Sequence, residues 1–406
     1  MSDARFVKMP PAIAEASRKA SIVGIGETDF RLDYRAERAR AQGWEPATLE
    51  QLCKKAFDRA LADSGLKHSD IDGLAMSYTY GGPEAEDMAQ LFGIEPKLGW
   101  INGHVYAGPL PAAAGKIMEG EAEVIALVFG IANRSAGRQF GGMTFSSDMA
   151  APSSYYYHHP WGWSSQAAHW ALMAQRYFAR FDQSEEDLGH VPMAVRAHAA
   201  MDPNAVMQKP FTIDEYMASR YIVRPLHLFD ICLVTDGAVC LIISSAERAR
   251  DMPHVPVDIA GWGESMIKQD KMKTMVEERL QPQLQAAGNE ALAMAGLNIG
   301  DIGHFEGYDA SSIHLVNQVE GFGFTPPGTG IDFCKDGQMT LGGRIPTNMN
   351  GGNMSYAYMQ GWGQVPEIVR QLRHEAGPRQ IEGLRSSMSA LTQTDTVHPV
   401  VYTRGD

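Results

Sequence analysis

The sequence has no C-x-x-C pair, no long apolar run and no excess of positive charge, and each absence removes a class of function. Its four cysteines, Cys53, Cys232, Cys240 and Cys334, are scattered through 406 residues. That spacing argues against a zinc or iron–sulfur centre and against a disulfide framework, and it suits a reducing, cytoplasmic setting. No stretch reaches the roughly 18 apolar residues that span a bilayer. The first twenty residues are mixed in charge and carry no apolar core, so a signal peptide is not expected. Acidic residues outnumber basic ones 48 to 35, a net charge of −13. Such a surface repels phosphate backbones, so nucleic acid is not an expected partner. With 44% hydrophobic residues the chain can fill a large core in one or two domains.

What the chain does have is glycine in one dense stretch. From Leu341 it reads LGGRIPTNMNGGNMSYAYMQGWG, with Gly342, Gly343, Gly351, Gly352 and Gly361 among asparagines and two tyrosines, Tyr356 and Tyr358. Glycine at this density marks a backbone that turns tightly or closely approaches a ligand. Two readings follow, a long surface loop or an active-site loop on a rigid scaffold.

The rest of the chain reads as alternating strands and helices. Apolar runs predict strands at residues 21–26, 71–77, 123–130, 238–244 and 255–260. Helical periodicity marks residues 49–64, 111–119, 166–179 and 185–200. Residues 131–165 form a long insertion rich in Ser, Gly and Tyr. Its aromatics, Tyr155 to Tyr157, Trp161 and Trp163, argue for an ordered lid, substrate wall or packing loop. One phrase occurs twice: ALADSGLKHSDI (60–71) and ALAMAGLNIGDI (291–302) agree at seven of twelve positions. Leu91-Phe92-Gly93-Ile94 and Gly321-Phe322-Gly323-Phe324 echo each other at nearly the same offset. Two matches in register predict a duplicated α/β unit.

These features resemble a known family. Asn348, Gly351, Gly352 and Gly361 fit the thiolase loop N-x-x-G-G-x-x-x-x-G-H-P-x-G, with Tyr358 at the histidine and Met359 at the proline. The phrase P-L-x-x-x-D-x-C-x-x-x-D-G-A within residues 225–238 resembles sterol-carrier-protein-x-type thiolases. The resemblance implies a thiolase fold, in which two duplicated βαβαβαββ halves form a layered α-β-α-β-α core. It places an N-terminal half at residues 1–266, with an insertion or lid at 131–220, and a C-terminal half at 267–406.

The thiolase chemistry itself is missing. The segment WINGHVYAGPLPAAAGKIMEGEAEV should hold the nucleophilic cysteine and has neither Cys nor Ser; its slot falls at or near Gly103, beside His104. The second histidine position, in HFEGYDASS, is Tyr308, followed by Asp309. Tyr at both histidine positions with no nucleophile resembles the thiolase-like aldolases of steroid side-chain degradation. By that resemblance the reaction is retro-aldol cleavage of a β-hydroxyacyl-CoA without a cofactor. Tyr308 and Tyr358 are the expected acid and base, in either order. His104 is a candidate donor to the thioester oxygen, and Asp309 either orients Tyr308 or caps the turn. Gly103, Asn348, Gly351 and Gly352 are expected at the substrate, the glycine amides as enolate donors. The resemblance also implies a homodimer and a small partner with an OB-fold and a zinc ribbon. Two other readings fit the missing residues: a degenerate thiolase that binds acyl-CoA as a scaffold subunit, and an acyltransferase with a displaced nucleophile such as Cys334.

Overall fold

The computed structural model describes residues 10–34, 43, 45–79, 81–102, 108–137, 161, 165–266, 277–392 and 396–405. The aromatic run of the insertion lies outside them except for Trp161, which is exposed, and so does the expected boundary near residue 267.

The first strand, β1 (Ala20–Glu27), is buried along its whole length. Helix α1 (Leu49–Ser64) follows, with the limits its periodicity predicts. Thr48 and Gln51 form a capping box at its start, and Gly65 ends it in the left-handed region at φ 71°. Then come β2 (Gly73–Tyr78), α2 (Ala85–Phe92), β3 (Leu98–Asn102), α3 (Pro109–Met118) and β4 (Val124–Ala132). Helix α4 (Gln166–Phe181) and helix α5 (His190–Ala199) lead to β5 (Asp236–Ser245). The predicted helix over 185–200 is therefore two, broken at Gly189, where a Cβ would lie 2.6 Å from the Tyr216 ring. The remaining elements are β6 (Val257–Trp262), α6 (Glu277–Ala295), β7 (Phe305–Gly307), α7 (Ser312–Gly321), α8 (Gly330–Lys335), α9 (Gln364–Arg373), β8 (Ser386–Thr392) and β9 (Thr396–Arg404).

Ten of the described strands make one mixed sheet in the order β7-β8-β9-β6-β1-β5-β4-β2-β3, with the short strand Ser265–Met266 on β9, and Tyr221–Val223 pairs with Leu226–His227 in a separate two-stranded sheet. Strands β2, β3 and β4 are parallel, whereas β5 is antiparallel to β4 and β1. On the other side β7 and β8 are parallel, whereas β9 is antiparallel to β8 and β6. The two sides meet where β1 pairs with β6 over Ser21↔Asp258 and Ile22↔Val257.

Both faces of the sheet centre are covered, as expected of strands with no polar alternation. Val124, Ala126 and Val128 of β4 pack in the cluster that holds Leu52, Ala56 and Phe57 of α1. Ile125, Leu127 and Phe129 point the other way, into the cluster that holds Leu110 and Ala113 of α3.

Glycine sets how closely the helices approach. A Cβ on Gly24 or Gly26 of β1 would lie 2.5 Å from the Ala60 carbonyl oxygen and 2.0 Å from that of Ala56. One on Gly261 of β6 or on Gly263 just after it would lie 2.1 Å from the carbonyl oxygens of Ala291 and Ala287. So α1 sits against β1 as α6 sits against β6.

Candidate active site

The glycine stretch is not a surface loop, since residues 345–363 are buried throughout. Asn348 (φ 51°), Gly351 (φ 104°) and Gly352 (φ 55°) lead into one π-helical turn, Gly352–Tyr356. Asp309 builds that turn. Its Oδ1 accepts the backbone N–H of Asn353 at 2.8 Å and the Asn353 side chain at 3.0 Å, and its Oδ2 accepts Met354 N–H at 3.2 Å. A Cβ on Gly352 would lie 2.2 Å from Asp309 Oδ2, so this carboxylate and this glycine need each other. Burial raises the Asp309 pKa to about 7, against the pull of those N–H donors. Of the two expected roles for Asp309, its hydrogen bonds match the capping one.

Asn348, Gly351 and Gly352 are committed in a similar way. Asn348 accepts Gly307 N–H at 2.8 Å and donates to Gly307 O at 3.0 Å, clamping the end of β7. The amide hydrogens of Gly351 and Gly352 are engaged by the Asn348 carbonyl and the Asn350 side chain, both at 2.9 Å. The expectation of free enolate donors at these glycines is thereby corrected: they shape the loop. Gly103 and His104 lie outside the described residues.

The two tyrosines meet. Tyr308 follows β7, where its N–H donates to Ala390 O of β8 at 3.0 Å and to Gln318 Oε1 at 3.1 Å, and its carbonyl accepts Gln318 Nε2 at 2.8 Å. The main chain of Tyr358 is held at both ends by one hydroxyl: Thr235 Oγ1 accepts its N–H and donates to its carbonyl, each at 3.0 Å. With both backbones fixed, the two hydroxyl oxygens stand 3.2 Å apart. Each tyrosine is 6% exposed. Burial, followed by the neighbouring Tyr358, pushes the Tyr308 hydroxyl well above the ordinary tyrosine range, so Tyr308 keeps its proton. Gln360 Nε2 reaches Tyr358 Oη at 3.4 Å. His314 of α7 stands edge-on to the Tyr308 ring, 5.8 Å between centroids, and Trp170 of α4 stacks on His314 at 6.5 Å. Tyr356 faces elsewhere: its hydroxyl donates to Glu27 Oε1 at 3.0 Å.

Thr235, Gln318, His314, Trp170 and Gln360 are absent from the sequence-derived site. Gln360, inside the glycine loop, and Thr235, inside the D-x-C-x-x-x-D-G-A phrase, carried a signal. That phrase anchors structure: Asp230 accepts hydrogen bonds from Ser312 and Tyr216, and Asp236 accepts the N–H groups of Arg134 and Ser135. Large clefts also lie away from the tyrosines. One of about 700 Å³ is lined by Arg180, Gln281, Glu320 and Arg344, and one of about 650 Å³ by Glu27, Tyr356, Arg370 and Arg379.

No thiol is set up as a nucleophile. Burial raises all four, Cys334 to about 12 and Cys53, Cys232 and Cys240 further. The displaced-nucleophile reading fails here, since Cys334 is buried within α8 with its Sγ 3.6 Å from the His190 carbonyl. Among the described residues no group of three or more His, Cys, Asp or Glu converges as a metal site, and no helix is long and apolar enough to cross a membrane.

Comparison with known proteins shows the family. Residues 264–396 match the family described as Thiolase C-terminal domain-like. The chain is 34% identical over 371 residues to a steroid side-chain-cleaving aldolase of Thermomonospora curvata, covering 87% of this chain and 90% of that one. It is 33% identical over 369 residues to the 17-hydroxy-3-oxo-4-pregnene-20-carboxyl-CoA lyase of Mycobacterium tuberculosis, covering 88% and 92%. The solved structure of an Ltp2-ChsH2(DUF35) aldolase superposes with a TM-score of 0.83 at 30% identity, covering 96% of this chain and 98% of that one. With a paired-tyrosine site on this fold and such relatives over most of its length, the chain belongs to the thiolase superfamily, in its branch of thiolase-like aldolases, and is a carbon–carbon lyase.

Proposed function

We propose that the protein cleaves a β-hydroxyacyl-CoA with a bulky, steroid-type side chain, releasing a ketone or aldehyde and a shorter acyl-CoA. The observation that carries this reading is the 3.2 Å approach of the Tyr308 and Tyr358 hydroxyls, at the two positions where thiolases keep histidine. Retro-aldol cleavage needs a base and an acid and no nucleophile. Tyr358, as the phenolate, takes the β-hydroxyl proton. The bond between the α and β carbons breaks as the new carbonyl forms, and its electron pair becomes the thioester enolate. Tyr308, which holds its proton, then protonates the α carbon. Donors for the enolate oxygen are expected from Gly103 and His104. Asp309, Asn348, Gly351 and Gly352 serve by fixing the loop that carries Tyr358.

The two similar relatives support the substrate class, because one is named for steroid side chains and the other for a hydroxylated pregnene carboxyl-CoA. We also infer two duplicated halves, residues 1–266 and 267–406. The matching strand pairings and the repeated strand–helix glycine contacts support that division. A homodimer, a cytoplasmic location and a small OB-fold, zinc-ribbon partner belong to the same reading; the DUF35 component in the name of the solved relative supports the partner.

The test is carbonyl release from a β-hydroxyacyl-CoA bearing a tertiary alcohol, with and without the partner. Tyr308→Phe and Tyr358→Phe should each lower kcat by about 10²- to 10⁴-fold while keeping the fold. If acyl-CoA binds but no such substrate yields a carbonyl, the scaffold reading takes over. Release that survives both substitutions removes the tyrosines from the chemistry.

A further inference from the structure

Gln360 sits in a tight turn closed by Trp362 N–H on the Met359 carbonyl at 2.9 Å, and both central residues, Gln360 and Gly361, have positive φ. Gln360 is non-glycine, yet its φ is 49°, in the left-handed region that costs most side chains energy. It is 7% exposed, so its amide has left bulk water. Its one hydrogen bond through the side chain is Nε2 to Tyr358 Oη at 3.4 Å, and Oε1 is buried without a partner. Exchanging the two ends of the amide leaves the same count, one end on Tyr358 and one end unpaired. Buried amides normally satisfy both ends, and an unpaired one is costly. The turn accounts for the backbone, whereas the buried amide has a single contact, with the hydroxyl of the proposed base.

We propose that Gln360 is a positioning residue that sets the ionisation of Tyr358: its Nε2–H donates to the Tyr358 oxygen, so that this oxygen becomes the phenolate base and Tyr308 remains the acid. The inference rests on the retro-aldolase reading for its meaning, though not for its test. Two donors then converge on Tyr358 Oη, the Tyr308 hydroxyl and the Gln360 amide. A phenolate is favoured over a phenol when it accepts two hydrogen bonds. Contacts of this kind are commonly long in ligand-free sites and tighten in the reacting complex. Among the described residues, titratable groups around the pair come from the neighbouring segments. Tyr308 and Asp309 lie after β7, Cys232 lies on the segment that leads to Thr235, and His314 comes from α7. Burial holds His314 neutral, with its pKa lowered to about 4, and holds Cys232 as the thiol. Neither brings a positive charge that would replace the amide's work.

The experiment compares wild type with Gln360→Asn and Gln360→Leu, in the full chain. Asparagine tolerates the left-handed backbone while withdrawing the amide, so it separates loss of the contact from loss of the loop. The first readout needs no substrate. The ultraviolet tyrosinate band is titrated, and the difference from Tyr358→Phe isolates one tyrosine among the fourteen in the chain. Both Gln360 variants should move that titration up by about one pH unit, the size of one charge-assisted hydrogen bond. The second readout is the pH profile of carbonyl release. Its rising limb should shift by the same amount, so kcat at neutral pH falls about tenfold while KM stays within about twofold. An unshifted Tyr358 titration in the Asn variant overturns the inference, as does a kcat that falls equally at every pH. If wild type releases no carbonyl, the function reading fails on its own, and the tyrosinate titration still decides the role of Gln360.

Discussion

At the scale of single residues, the site depends on neutral side chains kept neutral by burial. His314 illustrates this. It lies edge-on to Tyr308, its Nε2 and Thr392 Oγ1 are 2.6 Å apart, and burial lowers its pKa to about 4. In the unfolded chain the same ring titrates near 6.5. The folded value is the lower one, so the unfolded state takes the proton first on acidification. The stability from the neutral ring is complete above about pH 6.5 and is lost as pH falls towards 4. Between pH 7 and pH 5 the wild type should therefore lose about 2 kcal/mol that His314→Leu does not lose. Denaturant unfolding of both proteins at the two pH values measures it. If the two pH effects agree within about 0.5 kcal/mol, His314 is not held neutral by the fold. The two tyrosines were legible in the sequence because they occupy positions of a known spacing. His314 and Trp170 were not, because they meet the pair through tertiary packing that no local pattern encodes; Gln360 lies two residues from Tyr358 but fills an unspecified position of the loop pattern.

At the scale of elements, the five strands and four helical stretches read up to residue 260 are present, because burial on both faces and helical periodicity leave direct marks on sequence. The limits of α1 follow from Thr48, Gln51 and Gly65, whose roles as caps are local. The reason for glycine in β1 was not legible. GIGET (24–28) and GWGES (261–265) look like strand interiors weakened by glycine until the helices are seen lying on them. Those contacts give a sharp prediction. Gly26→Ala and Gly263→Ala should each cost about 3 kcal/mol or more, since backbone must move to admit the methyl group. Gly300→Ala, with nothing within 4 Å of the added carbon, should change stability by less than about 0.5 kcal/mol. Thermal or denaturant midpoints of the three variants decide it. Equal small losses at all three sites would mean the helix–strand spacing is soft. The glycine loop failed as a sequence reading in one respect. A tightly turning backbone was foreseen, but the use of its amide hydrogens within the loop was not, because that depends on where Asn348 and Asn350 fold back.

At the scale of the whole molecule, the strands of the two sides of the sheet pair over the short β1–β6 contact, and ion pairs from α9 reinforce it. Arg373, whose side chain is fully buried, reaches Asp63 of α1 at 2.8 Å and the Val23 carbonyl of β1 at 2.9 Å. Arg370 pairs with Glu27 at the other end of β1. Removing one member of such a pair leaves the other without its counter-charge. Arg373→Met should therefore cost about 3–5 kcal/mol, read as a lowered midpoint of global unfolding. A loss under 1 kcal/mol would mean that the Arg373–Asp63 pair does not help to join the two sides. Nothing in the sequence announced this link, since Asp63 and Arg373 are 310 residues apart.

The spacing of the two hydroxyls has a last consequence, for how a catalytic cycle closes. Each turnover would leave Tyr358 carrying the proton it took and Tyr308 lacking the one it gave. At 3.2 Å the surplus and the deficit face each other. One hop across that gap restores the starting state without solvent or buffer. The enzyme would thus be its own proton reservoir, ready for the next molecule once the products depart.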